Sequence, residues 1–247
     1  MINCSWQRAL LLAAAPFAAL PAFAQDSDWD FDVSIYLFAA ETDTSAATPA
    51  GTIDSTLSFS DALSDLKMGF MGAFGASNGQ WSFVLDYLYY DLGSDLAVKG
   101  PRVTAGNADL TIQIMNGYAG YRIYDNGTTK ADLVGGLRWF DVQSDLSLTT
   151  AAGAFNRSDD TSWTFGLVGA RLQQQLAPRW QGTVFVDYGG FSSDDQTWQV
   201  LLTADYAIND DWAVRGGYRY LAVEHGTDRG DFSFRQSGPV LAAVYKF

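Results

Sequence analysis

The sequence predicts an all-β fold, a transmembrane antiparallel up-and-down β-barrel of ten strands, with eight or twelve as alternatives. Three observations predict it. Segments that alternate apolar with polar side chains recur from Trp29 to the last residue, Phe247, as strands do when one face meets lipid and the other a lumen. Beyond residue 24 no apolar run reaches the ~20 residues that a spanning helix needs. Aromatic residues make up 15% and charged residues only 17% of the 247, which is aromatic-rich and charge-poor beside an average soluble domain.

Residues 1–24 read as a secretory leader: Arg8 precedes the apolar run Ala9 to Leu20, and Ala22-Phe23-Ala24 is a small-x-small cleavage site. The barrel domain is then 25–247. Cys4, the one cysteine, falls in the leader, so the exported chain is expected to have no disulfide and no cysteine-based site. Losing Arg8 leaves 14 basic against 28 acidic side chains, a formal charge of −14. That sign disfavours nucleic acid as a partner, because phosphate contacts need a basic surface.

The first strand, Trp29 to Glu41, places Trp29, Phe31, Val33, Ile35 and Leu37 on one face and Asp30, Asp32, Ser34 and Tyr36 on the other. Residues 42–67 read as a long connection; a hairpin within Thr52 to Phe59 would raise the strand count to twelve. In it Ser58, with Asp61 three residues on, has the spacing of a helix cap. Two readings stand, a helix plugging the barrel or a bent piece of surface loop. The second strand runs from about Met68 to Ala76, with Phe70 and Phe74 outward. Ser77-Asn78-Gly79-Gln80 then turns the chain, Asn and Gly accepting positive φ. Trp81 to Leu92 is the third strand, and the fourth starts near Ala108 and ends at Tyr124. After the Asp125-Asn126-Gly127 turn the fifth strand continues to about Thr149. The sixth returns from about Thr161, with Trp163, Phe165 and Leu167 read as lipid-facing. Strands seven to nine are Trp180 to Phe191, about Gln196 to Ala207, and Trp212 to Val223. In the last, from about Asp231, the apolar parity slips between Phe232/Phe234 and Leu241/Tyr245, which predicts a bulge near Gly238-Pro239. Ten strands with short turns at one end put both termini on the periplasmic side.

Indole rings favour the boundary between hydrocarbon and headgroups. Trp29, Trp81, Trp180 and Trp212 open upward strands, Trp163 and Trp198 open downward ones, and Trp139 lies near an outer end, which predicts two membrane girdles. The opposite parity then brings Asp32, Asp86, Asp132, Arg138, Asp187, Asp205, Arg215 and Arg219 into the lumen, with Tyr36, Tyr90, Phe140 and Phe185. A ten-stranded lumen is narrow, and unpartnered charges there are costly. The set is therefore expected to pair as a structural network closing the pore, although charges inside a membrane also mark transport paths.

The final stretch, SGPVLAAVYKF, alternates and ends on Tyr245-Lys246-Phe247. It resembles the C-terminal assembly signal of bacterial outer-membrane β-barrels, which implies insertion into the Gram-negative outer membrane by the barrel assembly machinery, with Tyr245 and Phe247 as signal residues. With Ser58 to Leu63 and the triplets Gly120-Tyr121-Arg122 and Gly217-Tyr218-Arg219, nearly all of 25–247 resembles the small outer-membrane barrels of proteobacteria, in particular a poorly characterised set. The resemblance implies outer-membrane lipids and lipopolysaccharide as surroundings, and no catalytic residue.

Two enzyme families of that membrane bear comparison. Omptin proteases pair Asp residues with an Asp-x-His element at the rim; here Asp194-Asp195 and Glu224-His225 lie in outer loops, but the acid is adjacent to His225. Lipid A deacylases use His-x-Ser, and His225-Gly226-Thr227 is the nearest approach. The plainer reading of His225 is a solvated loop residue. The leading expectation is a non-enzymatic barrel with a structural or limited small-solute passage role, porin-like in form; the alternative is a hydrolase at the extracellular rim. No cofactor motif or His-rich metal site is visible, though Asp43, Asp54, Asp159, Asp160, Asp194, Asp195, Glu224 and Asp228 form acidic outer loops that could hold divalent cations loosely.

Overall fold

The computed structural model describes residues 29–48, 51–61, 66–95, 103–150, 153–192, 195–227 and 230–247. The leader, Asp194 and Asp228 lie outside them. Almost every described residue is in a strand: β1 Asp30–Phe38, β2 Glu41–Thr48, β3 Gly51–Leu57, β4 Leu66–Ser77, β5 Trp81–Asp95, β6 Val103–Asp125, β7 Thr129–Thr150, β8 Gly153–Ala177, β9 Trp180–Gly189, β10 Asp195–Ala207, β11 Trp212–Thr227 and β12 Gly230–Lys246. From β4 to β12 each strand pairs antiparallel with the next, and β1 joins β4 on one side and β12 on the other, closing the wall.

The barrel has ten strands. The connection expected at 42–67 contains a hairpin, β2–β3, yet it adds no circuit. β2 continues β1 along β12 in unbroken register, Phe38 opposite Val240 and Glu41 opposite Ser237, and β3 lies beyond β4. The first two barrel strands are thus β1+β2 and β3+β4. Ser58 does cap a turn, its Oγ accepting the Asp61 N–H at 3.2 Å and donating to Asp61 Oδ2 at 2.7 Å. Residues 59–61 form one helical turn, and 62–65, the rest of the segment read as a plug helix or bent loop, lie outside the described residues.

Short turns gather at the end that holds Trp29 and Phe247. Asn78 Oδ1 accepts the Trp81 N–H at 2.7 Å and Asn126 Oδ1 the Thr129 N–H at 2.7 Å, with Gly79 and Gly127 at φ of +84° and +87°. Phe31 and Phe247 exchange backbone hydrogen bonds at 3.2 and 3.0 Å, and their rings stack. At the other end β6, β7 and β8 run 23, 22 and 25 residues, twice the ~9–11 needed to cross.

Outward faces are apolar: Ile35, Leu37, Phe70, Phe74, Phe83, Leu85, Leu133, Leu137, Val168 and Leu202 are all exposed. Such a belt exceeds the apolar patch of a soluble monomer and fits a lipid-facing wall. No helix among the described residues is long and apolar enough to cross a membrane.

Two expectations fail. In β8 the buried residues are Phe165 and Leu167, while Val168 and Leu172 are exposed; Trp163 shares the inward parity and stacks on Phe140 inside the barrel at 5.5 Å. Trp163 is therefore a lumen residue and no part of a girdle. In β12 there is no bulge: pairing with β11 is continuous from Thr227↔Gly230 to Trp212↔Tyr245. Phe232 and Phe234 point inward, which is what imitated a parity slip. The interruption sits on the neighbouring strand, at Ala39-Ala40. Ala39 donates its N–H to the Pro239 carbonyl at 2.9 Å, but proline has no N–H to return. Gly238 lies so close that a Cβ would sit 2.1 Å from the Ala39 carbonyl oxygen.

Candidate functional site

The candidate site is the lumen, which changes character with height. At mid-height six side chains from six strands form a closed hydrogen-bonded ring. Arg219 on β11 donates to Asp86 Oδ2 on β5 at 2.9 Å and to Gln199 Oε1 on β10 at 2.7 Å. Gln199 Nε2 donates to Asp187 Oδ2 on β9 at 3.2 Å. Arg138 on β7 donates to both Asp187 oxygens, at 3.0 and 2.9 Å, and to Asn116 Oδ1 on β6 at 2.6 Å. Asn116 Nδ2 returns to Asp86 Oδ2 at 3.1 Å. Tyr36 and Tyr118 fill the ring, donating to Asp86 and Asp187 at 2.5 and 2.8 Å. Arg138 and Asp187 are fully enclosed side chains, so each compensates a charge that would otherwise be costly to bury. Two Asp and two Arg make the ring formally neutral.

Below the ring lie two smaller ion-pair groups. Asp132 is gripped by Arg122 and by Arg171, the latter at 2.5 Å, and Arg171 also donates to Ser82 Oγ at 2.7 Å. Arg215 pairs bidentately with Asp205 at 2.8 and 2.7 Å. Between these groups and the ring is a polar cavity of about 190 Å³, with Asp32, Ser34, Asp86, Arg171 and Arg215 in its walls. All eight charged residues assigned to the lumen thus lie there. The sequence does not single out Arg122, Arg171, Asn116, Tyr118, Gln199 or Thr197, whose Oγ1 accepts a hydrogen bond from Arg138 at 2.6 Å.

Above the ring the lumen is apolar. Phe38, Met71, Leu88, Ile112, Ile114, Phe140, Phe165, Leu167, Leu221, Val223 and Phe234 form one buried cluster, and the Arg219 guanidinium sits 5.7 Å over the Phe38 ring where the two zones meet. Part of this zone is a cavity of about 310 Å³ against β1, β4, β5 and β6.

At the outer rim β10 and β11 set Asp195 directly opposite His225. Asp195 Oδ1 lies 2.5 Å from His225 Nδ1, and Trp163 stacks on the imidazole at 4.7 Å. Ser192 Oγ, in the same open cavity, accepts the Asp195 N–H at 3.0 Å. Glu224 turns the other way and pairs with Arg235 at 3.3 Å. Asp43 accepts a hydrogen bond from Thr56 at 2.7 Å. Among the described residues no group of three His, Cys, Asp or Glu side chains is placed to hold a metal ion.

Trp81, Trp180, Trp198 and Trp212 project outward and exposed; Trp29 and Trp139 are half-buried, Trp29 stacked on Phe83 at 5.8 Å. Trp212 and Tyr245 pack ring against ring at 4.9 Å beside Phe247, so Tyr245 and Phe247 lie on the outer face at the terminus-bearing end.

No protein-family model matches the chain, and no curated protein does. Among solved structures, the outer membrane protease OmpT of Escherichia coli superposes with a TM-score of 0.53 at 10% identity, over 89% of this chain and 96% of that one. Neisserial surface protein A gives 0.36 at 14% over 90% and 98%, and the attachment invasion locus protein Ail of Yersinia pestis 0.38 at 14% over 89% and 98%. The chain has the fold of bacterial outer-membrane β-barrel proteins.

Proposed function

We propose that the chain is an exported, non-enzymatic barrel of the Gram-negative outer membrane, with a structural or limited small-solute passage role. The observation that carries this reading is the closed ring. Six strands commit their inward side chains at one height to one another, so both acids and both arginines of that ring are paired across the lumen. In planar bilayers the protein should show at most small, intermittent conductance, and Arg219→Ala should raise the leak. Large, steady conductance proportional to salt from the unmodified protein would overturn it.

Outer-membrane lipids, lipopolysaccharide and the barrel assembly machinery are its proposed partners, with divalent cations held loosely by the acidic outer loops. Deleting Phe247, or replacing Tyr245 and Phe247 by Ser, should lower the folded, heat-modifiable fraction in the membrane while export continues. Normal insertion of those variants would remove the assembly role.

A second reading, hydrolysis at the rim, is favoured by one observation, the Asp195–His225 contact beneath an open cavity. A carboxylate on Nδ1 orients an imidazole so that Nε2 can act as a base. Peptide and lipid A cleavage assays on the unmodified protein and His225→Ala separate the two. Cleavage that vanishes with His225 would establish the hydrolase.

A further inference from the structure

The polar cavity beneath the ring exists because one side of the lumen is lined by small inward residues, Ser34 on β1, Ala73 and Gly75 on β4, Ser82 on β5 and Gly120 on β6. Every residue in its walls lies in a described strand. The ring is its roof, through Asp86, Tyr118 and Gln199, and Arg171 and Arg215 stand in its walls. Above, the Arg138–Asp187 pair is fully enclosed, whereas below, the Arg215 side chain is 30% accessible. The cavity thus meets water at the end that holds Trp29 and Phe247. Its 190 Å³ is the volume of about six waters at ~30 Å³ each, room for a small solute.

The charges around it cancel in sum but not in place. Arg215 is matched one to one by Asp205. Asp132 is shared by two arginines, Arg122 and Arg171, which leaves one positive charge in excess on that side. Asp125, the second acid on Arg122, lies on the exposed turn, where water and salt screen it. The opposite excess is Asp32. Arg215, Lys246 and Arg171 act on its carboxylate through space, but among the described residues none hydrogen-bonds it. Arg171 and Arg215 meanwhile spend only Nε and Nη2 on their acids and on Ser82, so Nη1 of each is outside these bonds. One cavity therefore holds an unfilled anionic acceptor and unfilled cationic donors.

The two lie close together. The Asp32 carboxylate rests across Gly75, where a Cβ would come within 2.3 Å of Oδ1. Arg171 reaches from β8 to Ser82 on β5, and Ser82 is two residues along from Val84, the partner of Gly75. Such diagonal neighbours are ~7–8 Å apart. Two charge-assisted hydrogen bonds of ~2.8 Å then leave only a few ångström between the ligand's own charges.

We propose that the cavity binds a small zwitterion from the periplasmic side, an α-amino acid with a small uncharged side chain. Its ammonium donates to Asp32 and its carboxylate accepts from Arg171 and Arg215. An anion alone would face the Asp32 charge and a cation alone the excess arginine, so both are disfavoured. The inference deepens the small-solute reading by naming the solute class and the side of entry, and it takes its roof from the closed ring. Conductance tests the ring and equilibrium binding tests the cavity, so the two fail separately.

The test is equilibrium dialysis of the processed full-length barrel, folded in detergent, against radiolabelled glycine. Saturable binding of one glycine per barrel is expected. Acetate and methylamine, each with half of the charge pair, should compete at least tenfold more weakly. Asp32→Asn keeps the shape and should weaken glycine at least tenfold while acetate binds no worse, so that glycine loses its advantage; a merely structural Asp32 would weaken both alike. Should that variant not fold, the competition series on the unmodified protein decides. No saturable glycine, equal competition by acetate or methylamine, or parallel loss of both ligands in Asp32→Asn would overturn the proposal. Glycine bound only by a barrel shortened to begin at Trp29 would assign the cavity to residues 25–28 of the chain itself and overturn it as well.

Discussion

The lower and upper halves of the lumen fill the same ten-stranded interior with opposite chemistry. In the lower half and at mid-height the space is occupied by Asp and Arg side chains, most of them fixed by two or more hydrogen bonds, as at Arg138 and Asp132. In the upper half it is occupied mainly by Phe, Leu, Ile and Val, which pack without direction and leave a chamber. Hydrogen bonds between ionised groups are directional and few geometries satisfy them all, so the charged half specifies one arrangement. Apolar contacts are non-directional and tolerate rearrangement, so the apolar half specifies its arrangement less narrowly.

The largest expected difference between the halves comes from splitting a pair. Arg138→Met should cost about 3–5 kcal/mol by leaving the Asp187 charge enclosed and alone, measured by urea unfolding of the protein in vesicles. Replacing both, as Arg138→Met with Asp187→Leu, should recover most of that loss. A double variant as unstable as the single one would show that the charged half is held by something other than the pair. In the apolar half, Leu221→Ala should cost about 2–5 kcal/mol through the cavity it leaves, with conductance unchanged. A leak matching that of Arg219→Ala would erase the distinction between the halves as barriers.

A smaller effect probes the seam between β1 and β2. Gly238→Ala should cost about 1–3 kcal/mol because its Cβ meets the Ala39 carbonyl oxygen, which is backbone and cannot swing away. Gly117→Ala, where a Cβ meets nothing within 4 Å, should change stability by no more than about 0.5 kcal/mol. Equal effects at the two sites would mean that the strand yields freely at Ala39.

The sequence by itself determined the barrel, its turns, and the lumen position of every charge it singled out, because period-2 alternation and the cost of an ion in lipid act locally along each strand. Where both faces carry apolar side chains, alternation identifies two faces without saying which is inside. The indole of Trp163 argues for lipid at Trp163, Phe165 and Leu167, although Arg171 shares their parity. An arginine facing the bilayer midplane costs about 2–4 kcal/mol, so Arg171 was the signal that could have turned β8 around. Phe232 and Phe234 imitate a parity slip for the same reason, being apolar side chains on an inward face. Only the tertiary structure decided which charges meet. The ring joins residues as far apart as Asp86 and Arg219, brought together by closure of β1 on β12. The Asp195–His225 contact depends on the β10–β11 register, and the place of β2 and β3 on their pairing with β12 and with each other. These follow from pairing between distant strands, which no local alternation encodes.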